Sequence, residues 1–226
     1  MDFVKRLEKI MGKLRGPGGC PWDRRQTHKS LKPYLLEEAH EALEAIDSGD
    51  EEHLREELGD LLLQVVFHSQ LAKEKHKFNL QKVAKTIGDK LIRRHPHVFG
   101  KSSRKISDIN RKWEELKKKE KPTRKSALDG LPQTLPALLR AQRMHEKIAK
   151  HGRPEAGLAA KNLRQAWNEL QKGLQGNQIA KEKAAGEFLL AFAQFSQAEG
   201  IHAEMALKTA SSKFEKRYKQ SEIKNR

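Results

Sequence analysis

Apolar residues recur every three or four positions through most of this chain. LKPYLLEEAHEALEAI (31–46) and LREELGDLLLQVVFHSQLA (54–72) show the pattern most plainly. That interval matches the 3.6-residue turn of an α-helix, and no stretch alternates apolar and polar residues as a half-buried strand does. An all-α fold is therefore expected, with short connections that favour antiparallel helical bundles. Glycine and proline set the breaks. RGPGGCPWD (15–23) ends a first helix over 2–15, and DSGD (47–50) separates helices over 31–46 and 51–74. Thr27 or Ser30 is a candidate cap for the second helix, and Ser48 or Asp50 for the third. A fourth helix, 79–94, stops at RRHPHVFG, where Pro96 biases His95 away from helix. A basic helix around Trp113 follows, then the linker KPTRKSALDGLPQTLP, then helices over 135–150, 157–174, 179–199 and 202–221.

The second half echoes the first. EFLLAFAQFSQ (187–197) aligns with DLLLQVVFHSQ (60–70), and EMALKTASSKFEKR (204–217) follows it as KVAKTIGDKLIRR (82–94) follows the other. The ordered matches point to two copies of one helical unit: residues 1–125, then a linker and a second copy within 126–226.

Charge narrows the function. The chain carries a formal +16, a balance that favours anionic partners such as nucleic acid or nucleotides. Eleven lysines and arginines fall within 101–125. The window EEAHEALEAIDSGDEEHLREELGD (37–60) runs the other way, with eleven acids and one arginine. The single cysteine, Cys20, cannot form a disulfide within the chain, and the apolar run LLLQVVF is too short to span a bilayer. MDFVKRLEKIMGKLRG lacks the apolar core of a secretory signal, so a cytoplasmic setting is expected.

Helical geometry sorts the acids. At about 100° per residue, Glu38 and Glu41 share one flank of the apolar arc of their helix, and Glu57 and Asp60 share the matching flank of the next. If the two arcs pack together, four carboxylates converge. Such a cluster takes up protons or finds a cation, and all-oxygen donors suit Mg²⁺ or Mn²⁺. Glu44, Asp47, Glu51, Glu52 and Glu56 are assigned to solvent and caps. Glu37 and His40 form a lone E-x-x-H, and a di-iron bundle needs two. A metal held by carboxylates gains a use when a phosphate chain completes its coordination, with basic groups on the outer phosphates. Lys90, Arg93, Arg94 and Lys117 are candidates, with Trp113 as a surface for a base.

These motifs resemble the MazG nucleoside triphosphate pyrophosphohydrolases. The family pattern is EExxE, a spacer, then ExxD; here it reads Glu37-Glu38-x-x-Glu41 and Glu57-x-x-Asp60. The CPWD–QTH lead, RRHPHVF, the W-x-x-x-K of Trp113 and Lys117, and LDGLPQTLPALLRA also match. The resemblance implies Mg²⁺ dependence and a homodimer of interlocked helices. It implies hydrolysis of a nucleoside triphosphate between the α and β phosphates, with no need for nucleic acid. By position, Glu38, Glu41, Glu57 and Asp60 would hold the metal and Glu37 would orient the site or a water. Lys90, Arg93 and Arg94 would meet phosphates, and Trp113 and Lys117 the nucleotide. The second copy departs: QAWNE (165–169) keeps only Glu169, and AAGE (184–187) keeps only Glu187. It is expected to be catalytically silent and to serve packing or dimerisation. The competing reading is a nucleotide- or nucleic-acid-binding regulatory protein without turnover, in which the acids have no part.

Overall fold

The computed structural model describes residues 2–100, 105, 108–109, 113, 116, 120, 126–150 and 156–224. The chain divides into two compact units, Met1–Glu120 and Lys121–Arg226. Among the described residues there are helices and no strand.

In the first unit, Asp2 opens α1 (Phe3–Arg15) by accepting a hydrogen bond from the Lys5 amide at 3.1 Å. The glycine-proline loop then holds a short helix that the sequence pattern did not predict, α2 (Pro21–Arg25), with Pro21 fixing its first turn. α3 (Lys32–Ser48) begins without a side-chain cap. Thr27 and Ser30 are occupied with each other: each hydroxyl accepts from the other's amide, at 3.1 and 2.9 Å. α3 ends at Gly49, whose φ of 72° is the left-handed conformation glycine adopts without strain. One residue later Asp50 caps α4 (Glu51–Glu74), its Oδ1 accepting from the amides of Glu52 and His53 at 3.1 Å each. α3 and α4 thus form a helical hairpin with a very tight turn. Asn79 caps α5 (Leu80–Arg94), and Pro96 starts a second short unpredicted helix, α6 (Pro96–Phe99). Asp108, Ile109, Trp113 and Leu116 are helical, while the rest of the expected basic helix, Lys117 included, lies outside the described residues.

α4 is the central element, in contact with α1, α3 and α5. Met11, Leu31, Val66, Phe67, Leu71 and Leu80 form the core, with Leu7 and Leu63 packed against it. Each such side chain stabilises by about 1.5–3 kcal/mol when fully buried. Arg15 ties the end of α1 to the end of α4: its guanidinium lies 5.4 Å from the Phe67 ring centre and donates to both carboxylate oxygens of Glu74 at 2.8 and 2.7 Å. That pairing holds the Glu74 carboxyl below the usual range.

The α3–α4 contact differs from the one the apolar arcs suggest. Ala42 and Ala45 of α3 and Glu57 and Gln64 of α4 are buried, whereas Leu35, Leu36, Leu58, Leu62 and Val65 remain exposed. The small alanines let the two backbones approach, which turns the acid-bearing flank inward. The apolar stripe of α4 is wider than α3 can cover.

In the second unit, α7 (Ala137–Ala149), α8 (Ala156–Gly173), α9 (Gln178–Ala198) and α10 (Ala203–Lys224) follow in order. α9 packs against both α7 and α8, and α10 against α7. Buried Gln142 joins α7 to the start of α10. Its Nε2 donates to the Ile201 carbonyl and its Oε1 accepts from the Ala203 amide at 3.0 Å. Ala159, Ala193 and Ser196 are fully buried, so this unit packs on small residues.

Candidate active site

The α3–α4 hairpin brings acids together across the helix pair. Glu38 and Glu41 lie one turn apart on α3, and Glu57 lies on α4. One carboxylate oxygen from each lies within 4.8 Å of the others. Asp60, one turn beyond Glu57, is half-buried and close enough to act on the charge of Glu38. Glu57 is only 8% exposed, and His53 Nε2 lies 3.0 Å from its Oε1. Glu37 and His40 point to solvent.

Electrostatics at the cluster follow from crowding. Burial pushes the Glu38 carboxyl above the ordinary carboxylate range, and the neighbouring Asp60, Glu41 and Glu57 push it further. A hydrogen bond from Gln64 Nε2 to Glu38 Oε1, long at 3.5 Å, opposes this. A raised carboxyl supports folding fully below its unfolded value of 4.5, and that support is lost as pH climbs through the raised value. At neutral pH the metal-free cluster is therefore a cost to the fold. Glu38→Gln is expected to raise the melting temperature of chelator-treated protein and to abolish any further rise on adding Mg²⁺. Thermal scans with and without the ion read both effects.

The residues fit a hard divalent cation. All donors are oxygens, and three carboxylates already converge. Buried Gln64 adds an Oε1 without a hydrogen-bond partner among the described residues. A polar atom left unpaired in a buried site is costly unless something satisfies it. Gln64 and His53 were not singled out in the sequence, although helical spacing offered them. Gln64 follows Asp60 by four positions on the same face, and His53 precedes Glu57 by four.

A second cluster stands at the end of α5. Glu120 Oε1 accepts from Arg93 Nε at 2.8 Å and Nη2 at 2.6 Å, while Arg94 Nε approaches Oε2 at 3.1 Å. These two guanidinium groups hold the Glu120 carboxyl down to about 2. The Arg94 guanidinium also lies over the Trp113 ring, 5.3 Å from its centre, and His95 meets the same ring edge-on at 5.1 Å. Arg94 is 10% exposed and Arg93 is 50% exposed, so the two arginines are unequally placed to meet a ligand. Lys90 is half-buried, and Lys117 lies outside the described residues. No hydrogen bond or ion pair among the described residues joins this cluster to the acids. A further pair, His28 and His68, stacks with Nδ1 atoms 2.8 Å apart, fastening the loop before α3 to α4. Burial and the adjacent His28 lower the His68 pKa.

A family model described as the MazG nucleotide pyrophosphohydrolase domain matches residues 26–99. The Thermotoga maritima protein named nucleoside triphosphate pyrophosphohydrolase/pyrophosphatase MazG is 40% identical over 226 residues, covering 97% of this chain and 86% of its own length. The chain belongs to the MazG family. An Escherichia coli K12 protein named nucleoside triphosphate pyrophosphohydrolase is 39% identical over 232 residues, covering 98% of this chain and 88% of its own. YabN of Bacillus subtilis, 49% identical over 144 residues, covers 62% of this chain and 29% of itself. The segment matched to the MazG domain contains the whole acid cluster and both arginines, and ends before Trp113. The similarity to the first two MazG relatives extends through the second unit as well.

Proposed function

We propose that this chain hydrolyses nucleoside triphosphates between the α and β phosphates, giving a nucleoside monophosphate and pyrophosphate. One observation carries the reading: three carboxylates converge on a helical hairpin, in a chain about two-fifths identical to proteins named for this reaction. Mg²⁺, with Mn²⁺ as a substitute, is the cation assigned to Glu38, Glu41, Glu57 and Asp60. When bound, such an ion supplies Lewis acidity toward phosphoryl oxygens and acidifies a coordinated water. The protein groups do the rest. Gln64 and His53 hold Glu38 and Glu57 in place, so the donor set is organised before a ligand arrives. Exposed Glu37 stands at the rim, where it orients the site or a water. No side-chain nucleophile is required.

Arg93, half-exposed, is assigned to the outer phosphates with Lys90. Arg94, shielded by Glu120 and Trp113, aligns Arg93 as much as it binds. Trp113 and Lys117 are assigned to the nucleotide. Arg93→Ala is therefore expected to raise KM by about tenfold, the worth of one charge-assisted contact, with a smaller change in kcat. Steady-state kinetics over a triphosphate concentration series checks it. The working form is proposed to be a homodimer, on the strength of the uncovered apolar stripe of α3 and α4, and a cytoplasmic setting is proposed from the single cysteine, Cys20. Among the described residues no helix is long and apolar enough to cross a membrane. The deciding experiment measures pyrophosphate release from mixed nucleoside triphosphates with Mg²⁺ and with chelator. Release only with the ion supports the reading, and none under either condition rejects it.

A further inference from the structure

The second unit carries a groove of about 720 Å³ between α8 and α9, the helix pair that the internal repeat sets against α3 and α4. The alignment of the two copies places Ala166 at the position of Glu38, Ala184 at that of Glu57, and Ala191 at that of Gln64. All three alanines line the groove. The hollow is thus the space left where two of the four proposed metal-holding side chains, and the supporting Gln64, give way to methyl groups, while Glu169 and Glu187 keep the other two carboxylates. The helices have not closed over it. At its base they already touch: a Cβ on Gly173 would stand 2.5 Å from the Ala184 Cβ. The pair cannot approach further to fill the space above.

The lining describes a ligand. The floor is apolar, and the groove's volume lies within the ~300–1,000 Å³ range of small-molecule sites. Polar groups that can read a heterocycle's edge stand around it. Asn162 Nδ2 donates to Gln194 Oε1 at 3.1 Å, Gln165 is exposed, and His145 presents a buried Nε2 with no hydrogen-bond partner among the described residues. Burial lowers the His145 pKa, so the ring meets a ligand as a neutral group. Two lysines and two glutamates line the groove, a formal balance of zero. Lys172 is paired with Glu169 at 2.9 Å, whereas Lys183 makes no ion pair among the described residues. With Ala166 and Ala184 in place of carboxylates the lining lacks the donor set a metal-bound triphosphate needs, and among the described residues of the lining Lys183 alone offers a cation for one phosphate beside a flat base.

We infer that the groove between α8 and α9 binds a nucleoside monophosphate without metal, its base over the alanine floor and its phosphate at Lys183. The assigned ligand is a product of the reaction proposed for the first unit, so its identity rests on that reading. The groove itself does not.

The test is binding rather than turnover, which keeps the two apart. The full chain in excess EDTA is titrated by calorimetry with adenosine, guanosine, cytidine and uridine 5′-monophosphates, and with ribose 5-phosphate. At least one nucleotide is expected to bind once per chain, and ribose 5-phosphate at least about tenfold more weakly, for want of a base to bury. Ala166→Phe, which sets a ring on the alanine floor where the base would lie, is expected to abolish binding. Lys183→Ala is expected to weaken it about tenfold, the loss of one charge-assisted contact. Lys183 is exposed, so this second variant decides the matter should the first fail to fold. Glu41→Gln is expected to leave the affinity unchanged. The proposal is overturned if no nucleotide binds, if ribose 5-phosphate binds equally well, if neither groove variant matters, or if Glu41→Gln removes the binding.

Discussion

Glu41→Gln and Asp60→Asn are each expected to abolish Mg²⁺-dependent pyrophosphate release while leaving helical content intact and the melting temperature of chelator-treated protein no lower than the parent's. Each change keeps the shape of the side chain and removes one negative charge from the donor set. Glu41 is exposed and Asp60 half-buried, so an amide at either place leaves no large desolvated group behind. The loss should be catalytic, on the order of 10²-fold or more in kcat/KM, since even partners that only support metal ligands are worth ~10–100-fold. Glu51→Gln serves as the control. It removes an acid from the same hairpin, but from the exposed first turn of α4. Wild-type rates in both site variants would falsify the assignment of the acid cluster. An equal loss in the control would mean that overall charge on the hairpin, rather than a built site, is what matters.

Leu62→Glu is the second large effect expected. Leu62 is 39% exposed, Leu58 52% and Val65 41%, all on the face of α4 that neither α1 nor α3 covers. A charged carboxylate there costs the isolated chain little, because water already reaches the position. Buried at a helix-to-helix interface it would cost several kcal/mol, and each ~1.4 kcal/mol weakens association tenfold. Sedimentation velocity should show a dimer for the parent and a monomer for the variant at micromolar concentration. A parent that sediments as a monomer sinks the proposed assembly outright.

Helix content was largely legible because it depends on local spacing. The periods of α3, α4 and α5 lie in consecutive residues, and Asp50 sits where a cap must sit. What escaped was set by neighbours distant in sequence. Pro21 and Pro96 start the short α2 and α6, although proline reads from sequence as an interruption. Thr27 and Ser30 answer each other instead of α3, since both satisfy amides within their own turn. At the site, the helix wheels anticipated the convergence of Glu38, Glu41 and Glu57, while Asp60, expected with them, stands outside the group whose carboxylate oxygens lie within 4.8 Å of one another. The burial of Gln64 and the exposure of Leu58 did not follow from the wheels. Which side of a wide apolar stripe becomes interior depends on where Ala42 and Ala45 let the backbones meet, and one helix wheel contains no information about its neighbour. The His28–His68 contact is of the same kind, joining residues forty positions apart.

The tight turn at Gly49 and Asp50 has a consequence for how such a protein can change over time. Because α3 and α4 follow each other almost without a gap, all four proposed metal ligands fall within one short continuous segment. The site is inherited as a cassette. Copying that segment copies the whole donor set, and damage to one copy leaves the other complete. Once a chain holds two, either is released from the demands of chemistry as long as its helices still pack. In the second copy that we propose, Ala166 and Ala184 are substitutions of the sort that this freedom permits. They remove charge and keep the hairpin, leaving a framework on which a different kind of recognition can be selected.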